Sequence, residues 1–377
     1  MSDRLKESRK VFLLLISLAV YLIVLFTAKA LTLVQALDII PFIPAALTAM
    51  LVTTLVSTRI AIRMVFLVML IVLTATGFKL EPALFALFSG LLAVSLTKLT
   101  GRRMDLIKTS CQLAVIHPII TFVLCTVFPV SYSEFVFVLL GSVINGFISG
   151  IFVLGFLPIL EDRLNTPTCF RLMELSDLNS PTMKQLLLTA SGTYNHTMMV
   201  ATLAEAACRE IGADALLARV GAYYHDIGKM ENPIYFTENQ KTSLNPHDQL
   251  TPEQSAKVII KHVADGVELA HKNKLPKRII DFIKTHHGRS LTYYFYRKAL
   301  DLNPEGTKEE DFRYPGPIPF SKETAILMMA DSVEAATKSL KNPTFEALNE
   351  FVDRIIKKQL DDNQFANSDI SFKEIEA

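Results

Sequence analysis

The hydropathy of the chain changes once, near residue 160, and that change limits what the chain can fold into. Up to Leu160 it is a series of long apolar runs broken by brief charged stretches. From Glu161 onward it has the mixed composition of a water-soluble helical protein. A helix that crosses a bilayer needs about 20 mostly apolar residues. Six segments meet or approach that length: 11–30, 36–57, 60–78, 83–99, 108–128 and 134–158, the third and fourth being short. The mean hydropathy of +0.34 is high for a soluble protein, and the excess lies in the first half. The expected class is all-α: a polytopic transmembrane helix bundle over 1–160, a helical linker over 161–190, a soluble helical domain over 191–360 and a flexible tail over 361–377.

Charge tests the six spans. Arg4, Lys6, Arg9 and Lys10 precede the first, Arg59 and Arg63 separate the second from the third, and Lys98, Arg102, Arg103 and Lys108 surround the connection from the fourth to the fifth. With six crossings these ten charges share one side, and the other receives only Lys29 and Lys79. Positive charge marks the cytoplasmic face, which predicts a multi-pass protein of the cell membrane with its N-terminus and soluble half in the cytoplasm. The basic start and the run from Val11 to Thr27 mimic a signal peptide, but the later spans favour a retained first helix. His117 is the one imidazole inside a span, and packing between helices explains it more simply than a proton path. Gly141, Gly146, Gly150 and Gly155 in the last span suit close helix packing. A net charge of +1 gives no pull toward a nucleic-acid polymer. Cys111, Cys125, Cys169 and Cys208 form no CxxC pair, which argues against a disulfide framework or zinc knuckle.

The soluble half reads as helices punctuated by caps. Ser180-Pro181, the capping box Thr251-Pro252-Glu253-Gln254, Leu275-Pro276 and Ser321 each open one, Gly288 closes one, and 303–320 is a loop rich in Pro, Gly and charge. On these helices lie His196, His225-Asp226, His262, His286-His287 and Asp331. Singly, a histidine on a helix is more often core or surface than ligand, and His286-His287 suits a helix C-terminus. Asp331 and Asp226 are harder to dismiss, because each borders an apolar face and a buried carboxylate without a cation is costly. Taken together, the series points to a metal centre. Imidazole and carboxylate without thiolate suit iron, manganese or zinc. Seven such groups exceed one ion and suit two, which can hold a bridging hydroxide and clamp the attacking and leaving oxygens of a displacement at phosphorus. Lys229, one turn beyond His225, can set a point charge on a substrate phosphate.

These residues resemble the HD-domain superfamily of metal phosphohydrolases and, more narrowly, the PgpH-type membrane family. The likeness rests on Gly192-Thr193-Tyr194, the run Ala218 to Lys229, Glu238-Asn239-Gln240, Asn245-Pro246-His247-Asp248, His286-His287, Phe312 to Pro317 and Met329-Ala330-Asp331-Ser332. It implies a cytoplasmic all-helical HD domain that hydrolyses cyclic di-AMP to pApA with two divalent ions, Mn or Fe. It further implies that His196, His225, Asp226 and Asp331 hold one ion, and Asp226, His262, His286 and His287 the other, with Asp226 bridging. Asp226 and Lys229 are the implied catalytic residues. Asn195 stands where the family often has a first His of a pair, which spares the ligand His196. The family usually carries an extracytoplasmic sensor domain ahead of the spans; the chain is expected to lack it. His247, Arg313 and Tyr314 are substrate-contact candidates beside Lys229, with loop structure as the simpler account for His247 and Arg313–Tyr314. Expected partners are the bilayer and a cyclic dinucleotide; a homodimer is allowed but not specified. The competing functions are an HD phosphohydrolase for another nucleotide or a lipid phosphate, and a nucleotide-binding membrane receptor without hydrolysis.

Overall fold

The structure, a computed structural model, describes residues 2–33, 40–128, 130–240, 244–338, 340 and 343–377. Among these residues there is no strand, only an isolated antiparallel bridge between Leu291 and Arg313. The chain divides into two compact units, Met1–Arg171 and Leu172–Ala377.

The first unit holds α1 (Ser2–Leu33), a 3-10 turn (Ile40–Phe42), α2 (Ala45–Leu55), α3 (Thr58–Ala75), α4 (Leu80–Leu96), α5 (Met104–Val127) and α6 (Tyr132–Leu164). Each expected span falls on one of these helices, except that the start of the second, residues 36–39, lies outside the described residues. By length and apolarity α3, α5 and α6 can cross a membrane; Val11–Thr27, Ile40–Leu55 and Leu80–Leu96 are shorter apolar segments. Ser57 caps α3 through the Ile60 amide, and Ser131 with Glu134 forms a capping box on α6. Leu14, Phe26, Val115, Ile119 and Val127 are all exposed, a face that water would penalise and lipid would not. Some hydroxyls inside the unit are satisfied along their own helices, as Thr53 and Thr54 donate to the carbonyls of Ala49 and Met50.

The glycines of α6 divide by role. A Cβ on Gly146 would lie 2.5 Å from the Ala114 amide nitrogen, and one on Gly150 would lie 2.4 Å from the Ser110 Cβ. These two glycines therefore let α5 and α6 approach closely, and Ser110 donates to the Gly146 and Phe147 carbonyls. Gly141 faces Pro41, whereas Gly155 has nothing within 4 Å and takes no part. His117 is buried between helices with its Nε2 2.9 Å from the Ser89 hydroxyl, the packing role expected of it.

Beyond α7 (Cys169–Leu175), the second unit holds α8 (Pro181–Thr189), α9 (Ser191–Glu210), α10 (Ala215–Tyr224), α11 (Pro252–Lys272), α12 (Lys277–Thr285), α13 (Tyr293–Leu302), α14 (Lys322–Thr337), α15 (Phe345–Asp361) and α16 (Phe372–Glu376). Its core joins Val200 and Ala204 of α9, Leu217 and Val220 of α10, Ile279 and Ile283 of α12, and Leu327 and Met328 of α14. Ser180, Thr251 and Ser321 cap α8, α11 and α14 as their positions predict. Gly288, at φ +52°, takes the left-handed conformation that stops the α12 segment.

The flexible tail expected over 361–377 is corrected by the structure. Phe365 is buried in the core, with Ile370 and Ile375 packed against it. Gln364 is buried and accepts from the Arg289 amide at 2.9 Å, and Lys322 pairs with Glu374 of α16. Polar composition conceals these few anchors. Phe365→Ala should cost about 3 kcal/mol, the scale of an emptied aromatic site. Thermal unfolding of the full chain in detergent should then show a midpoint several degrees lower, and an unchanged midpoint would return the segment to a loose tail.

Candidate metal centre

Five helices and one short turn of the second unit bring the seven expected ligands together. His196 projects from the middle of α9, His225 ends α10, and Asp226 precedes a 3-10 turn (Ile227–Met230). His262 comes from α11, His286 and His287 follow α12, and Asp331 comes from α14. Glycine makes the convergence possible. A Cβ on Gly228 would lie 1.9 Å from the His262 carbonyl oxygen and 2.4 Å from the Gly266 nitrogen, so the turn lies backbone-to-backbone on α11. Gly221 likewise admits the Phe282 ring, holding α12 against α10.

The two carboxylate oxygens of Asp226 face different histidines. Oδ2 lies 3.3 Å from His225 Nε2 and 3.5 Å from His196 Nε2. Oδ1 lies 3.3 Å from His262 Nε2 and 3.5 Å from His286 Nε2. Asp331 closes the first group at 2.9 Å from His196 Nε2 and 3.6 Å from His225 Nε2, and stands 3.8 Å from His287 Nδ1. Two triads, His196–His225–Asp226 and His262–His286–His287, each keep their potential ligand atoms within 4.8 Å of one another.

The ring orientations suit a cation. Nδ1 of His225, His262 and His286 lies 2.7, 2.6 and 2.8 Å from the carbonyl oxygen three residues earlier, and Nδ1 of His196 lies 2.6 Å from Glu334 Oε2. A carbonyl or carboxylate can only accept, so each Nδ1 donates, and a ring that carries no second proton presents its Nε2 lone pair to the centre. The His262 and His286 Nε2 atoms stand 3.1 Å apart, which two bare lone pairs tolerate only with a positive charge between them. Among the described residues, His225 Nε2 and Asp226 Oδ1 are fully buried and meet no hydrogen-bond partner. Donor type, orientation and these orphaned atoms fit divalent metal binding.

Electrostatics divide the centre. Burial alone would raise Asp226 and Asp331, but Lys229 and His225 outweigh it at Asp226, and His196 and His225 at Asp331, holding both well below the carboxylate range. Burial opposes charging of His196 and His225, yet Asp331, Glu334 and Asp226 push His196 up to about 9, and Asp226 with Asp331 pushes His225 up to about 10. Burial keeps His286 low although its hydrogen bond with Asp226 works the other way, and burial together with the neighbouring His286 lowers His287. One side of the centre thus attracts positive charge through carboxylates, whereas on the other burial disfavours charge on His286 and His287.

Lys229 is more constrained than a free phosphate-binding lysine. Its Nζ lies 2.7 Å from Asp226 and 2.9 Å from Glu238, and 5.0 Å from the Phe236 ring centre. Burial disfavours its charge, but Asp226 and Glu238 raise its pKa. Glu238 is fixed in turn. Thr193 donates to it at 3.2 Å, and Asn239 exchanges hydrogen bonds with the Thr193 amide and hydroxyl at 3.0 and 2.8 Å. Gly192 permits this, since a Cβ there would lie 1.8 Å from the Glu238 carbonyl oxygen. Glu238 and Glu334 carry functions that reading the sequence did not assign; for Glu334 the available signal was its i+3 spacing from Asp331.

Of the other candidates, Tyr314 reaches the centre, its ring stacked on His287 at 4.3 Å. His247 does not: its Nε2 lies 2.9 Å from the Tyr235 carbonyl and its ring packs on Tyr235 and Phe295. Arg313 is held by Glu309, Asp362 and the Arg289 carbonyl, and serves the loop.

The chain is similar to known proteins. Residues 2–168 match the family described as 7TM receptor with intracellular HD hydrolase, and residues 193–336 match the HD domain. The chain is similar to the cyclic-di-AMP phosphodiesterase PgpH of Bacillus subtilis (strain 168), 41% identical over 79% of this chain and 42% of that protein. It is similar also to the PgpH of Listeria monocytogenes serotype 1/2a (strain 10403S), 42% identical over 78% of this chain and 41% of that protein. The chain therefore spans about two fifths of the length of these relatives. The crystal structure of the L. monocytogenes PgpH HD domain in complex with cyclic-di-AMP resembles it with a TM-score of 0.52 and 50% identity, over 53% of this chain and 94% of that one.

Proposed function

The chain belongs to the PgpH-type family of membrane HD-domain proteins, and from that membership and the site geometry we propose that it is a membrane-bound phosphodiesterase hydrolysing cyclic di-AMP to pApA. The single observation that carries the reading is Asp226, whose two oxygens face two separate groups of histidines. A carboxylate so placed suits a pair of divalent ions, manganese or iron, with His196, His225 and Asp331 on one side and His262, His286 and His287 on the other. When bound, such a pair supplies Lewis-acid activation of water and neutralises charge on the phosphodiester. The residues supply the rest. Lys229, charged and anchored between Asp226 and Glu238, sets a fixed cation where a phosphate oxygen gains charge. Tyr314, packed on His287, closes one wall against water. In the balance, water adds to phosphorus, the P–O bond to the ribose 3′-oxygen breaks, and that oxygen takes the proton. The asymmetry of Lys and Arg around the apolar segments favours the cytoplasmic face for the HD domain, where a soluble nucleotide messenger is met.

The test is direct. The detergent-solubilised chain loaded with Mn²⁺ or Fe²⁺ should convert cyclic di-AMP to pApA, followed by chromatography, and lose the activity on exhaustive chelation. Cyclic di-GMP, mononucleotides and a lipid phosphate in parallel measure selectivity. Binding without turnover under every metal would replace the enzyme by a receptor.

A further inference from the structure

We infer that Glu334 is a positioning residue for His196, and that it makes the subsite of His196, His225, Asp226 and Asp331 the tighter-binding half of the centre. The inference rests on the two-ion reading above and deepens it.

His196 is oriented unlike the other ligands with a bonded Nδ1. His225, His262 and His286 each donate to a carbonyl three residues earlier in their own chain segment, a partner that local backbone geometry supplies. His196 instead reaches from α9 to a carboxylate on α14, at 2.6 Å. Its orientation therefore depends on a tertiary contact. That contact is itself fixed, because the buried Glu334 also pairs with Lys338 at 2.8 Å. Asp331 and Glu334 stand at i and i+3 on one face of α14, with Lys338 at its C-cap, so one helix delivers both a ligand and the group that aligns its neighbour.

The acceptor also differs in kind. A carboxylate hydrogen-bonded to Nδ1 makes the imidazole a stronger donor at Nε2 than a carbonyl does. The subsite near His196 already carries Asp331 and half of Asp226, whereas the other subsite offers three imidazoles and the other half of Asp226. Glu334 adds to the negative side of an already unequal pair. Divalent ions should load the His196 subsite first.

Metal titration of the full chain in detergent, stripped by chelation and refilled with Mn²⁺, tests this by counting ions and measuring the affinity of each step. A His286→Ala chain, which weakens the other subsite, assigns the steps. The wild type should bind two ions in unequal steps, the His286→Ala chain keeping the tighter. Glu334→Ala should weaken the tighter step by about 10- to 100-fold and leave the weaker step in place. Glu334→Gln, which keeps an acceptor but not the charge, should recover part of that loss. Unchanged affinities in both variants, or an equal loss at both steps, would overturn the inference. A wild-type chain that binds fewer than two ions would refute the two-ion reading instead.

Discussion

Replacing Asp226 by alanine should remove cyclic di-AMP hydrolysis and metal retention together, while leaving the chain in the membrane. The size of the effect follows from geometry. Both oxygens of this carboxylate are committed, Oδ2 toward His196 and His225 and Oδ1 toward His262 and His286, so one substitution damages both halves of the centre. A metal pair contributes several kcal/mol of charge stabilisation in the transition state. With one factor of ten for each 1.36 kcal/mol, turnover should fall by at least about a thousandfold. Asp226→Asn should be nearly as inactive, because an amide has one acceptor oxygen and cannot serve both groups. The Lys229 ammonium keeps Glu238 as a partner in either variant, which limits the cost to folding. The apolar helices lie in a separate compact unit, so membrane extraction should match the wild type. Retention of a tenth of the wild-type rate, with normal metal content, would show that Asp226 is not the shared ligand.

What the sequence made legible was local or expensive. The openings of α8, α11 and α14 were readable at Ser180, Thr251 and Ser321 because a cap acts within one turn. The apolar segments were readable because a bilayer imposes a length. The candidate metal centre was readable because Asp226 follows one apolar helix and Asp331 sits on another, where an unpaired carboxylate would be costly. Tertiary contacts were hidden. Glu334 shares a helix face with Asp331, but no local rule says that this face meets His196. Glu238 lies in a recognisable string, yet its hold on Lys229 needs the packing of Gly192 against the 238–239 backbone. Tail docking escaped because Phe365, Ile370 and Ile375 are the few apolar anchors in a mostly polar segment, and the buried Gln364 is itself polar. His247 and Arg313 show the converse: they share the strings that carry the resemblance, and the structure uses them to hold loops.

The same physics predicts that a methyl group on a residue that is not itself a ligand should disable the centre. In Gly228→Ala the new Cβ would fall 1.9 Å from the His262 carbonyl oxygen and 2.4 Å from the Gly266 nitrogen. Both are backbone atoms and cannot rotate away. Since Cβ contacts below 3.0 Å do not occur, the turn bearing Asp226 and the helix bearing His262 must separate by about 1 Å, from 3.0 minus 1.9. A misplacement of about 1 Å costs roughly a hundredfold in rate. Turnover should therefore drop by that factor or more, with weaker Mn²⁺ binding, although every ligand is unchanged. Gly266→Ala grades the effect, because its Cβ would meet the Ile283 side chain at 3.0 Å and the Gly228 nitrogen at 3.3 Å, contacts that small shifts relieve. Gly155→Ala, with nothing within 4 Å, should behave as wild type. The order of activity is then Gly155→Ala, Gly266→Ala, Gly228→Ala. If Gly228→Ala matched Gly155→Ala in rate and metal affinity, the backbone contact between the turn and α11 would not be what aligns Asp226 with His262.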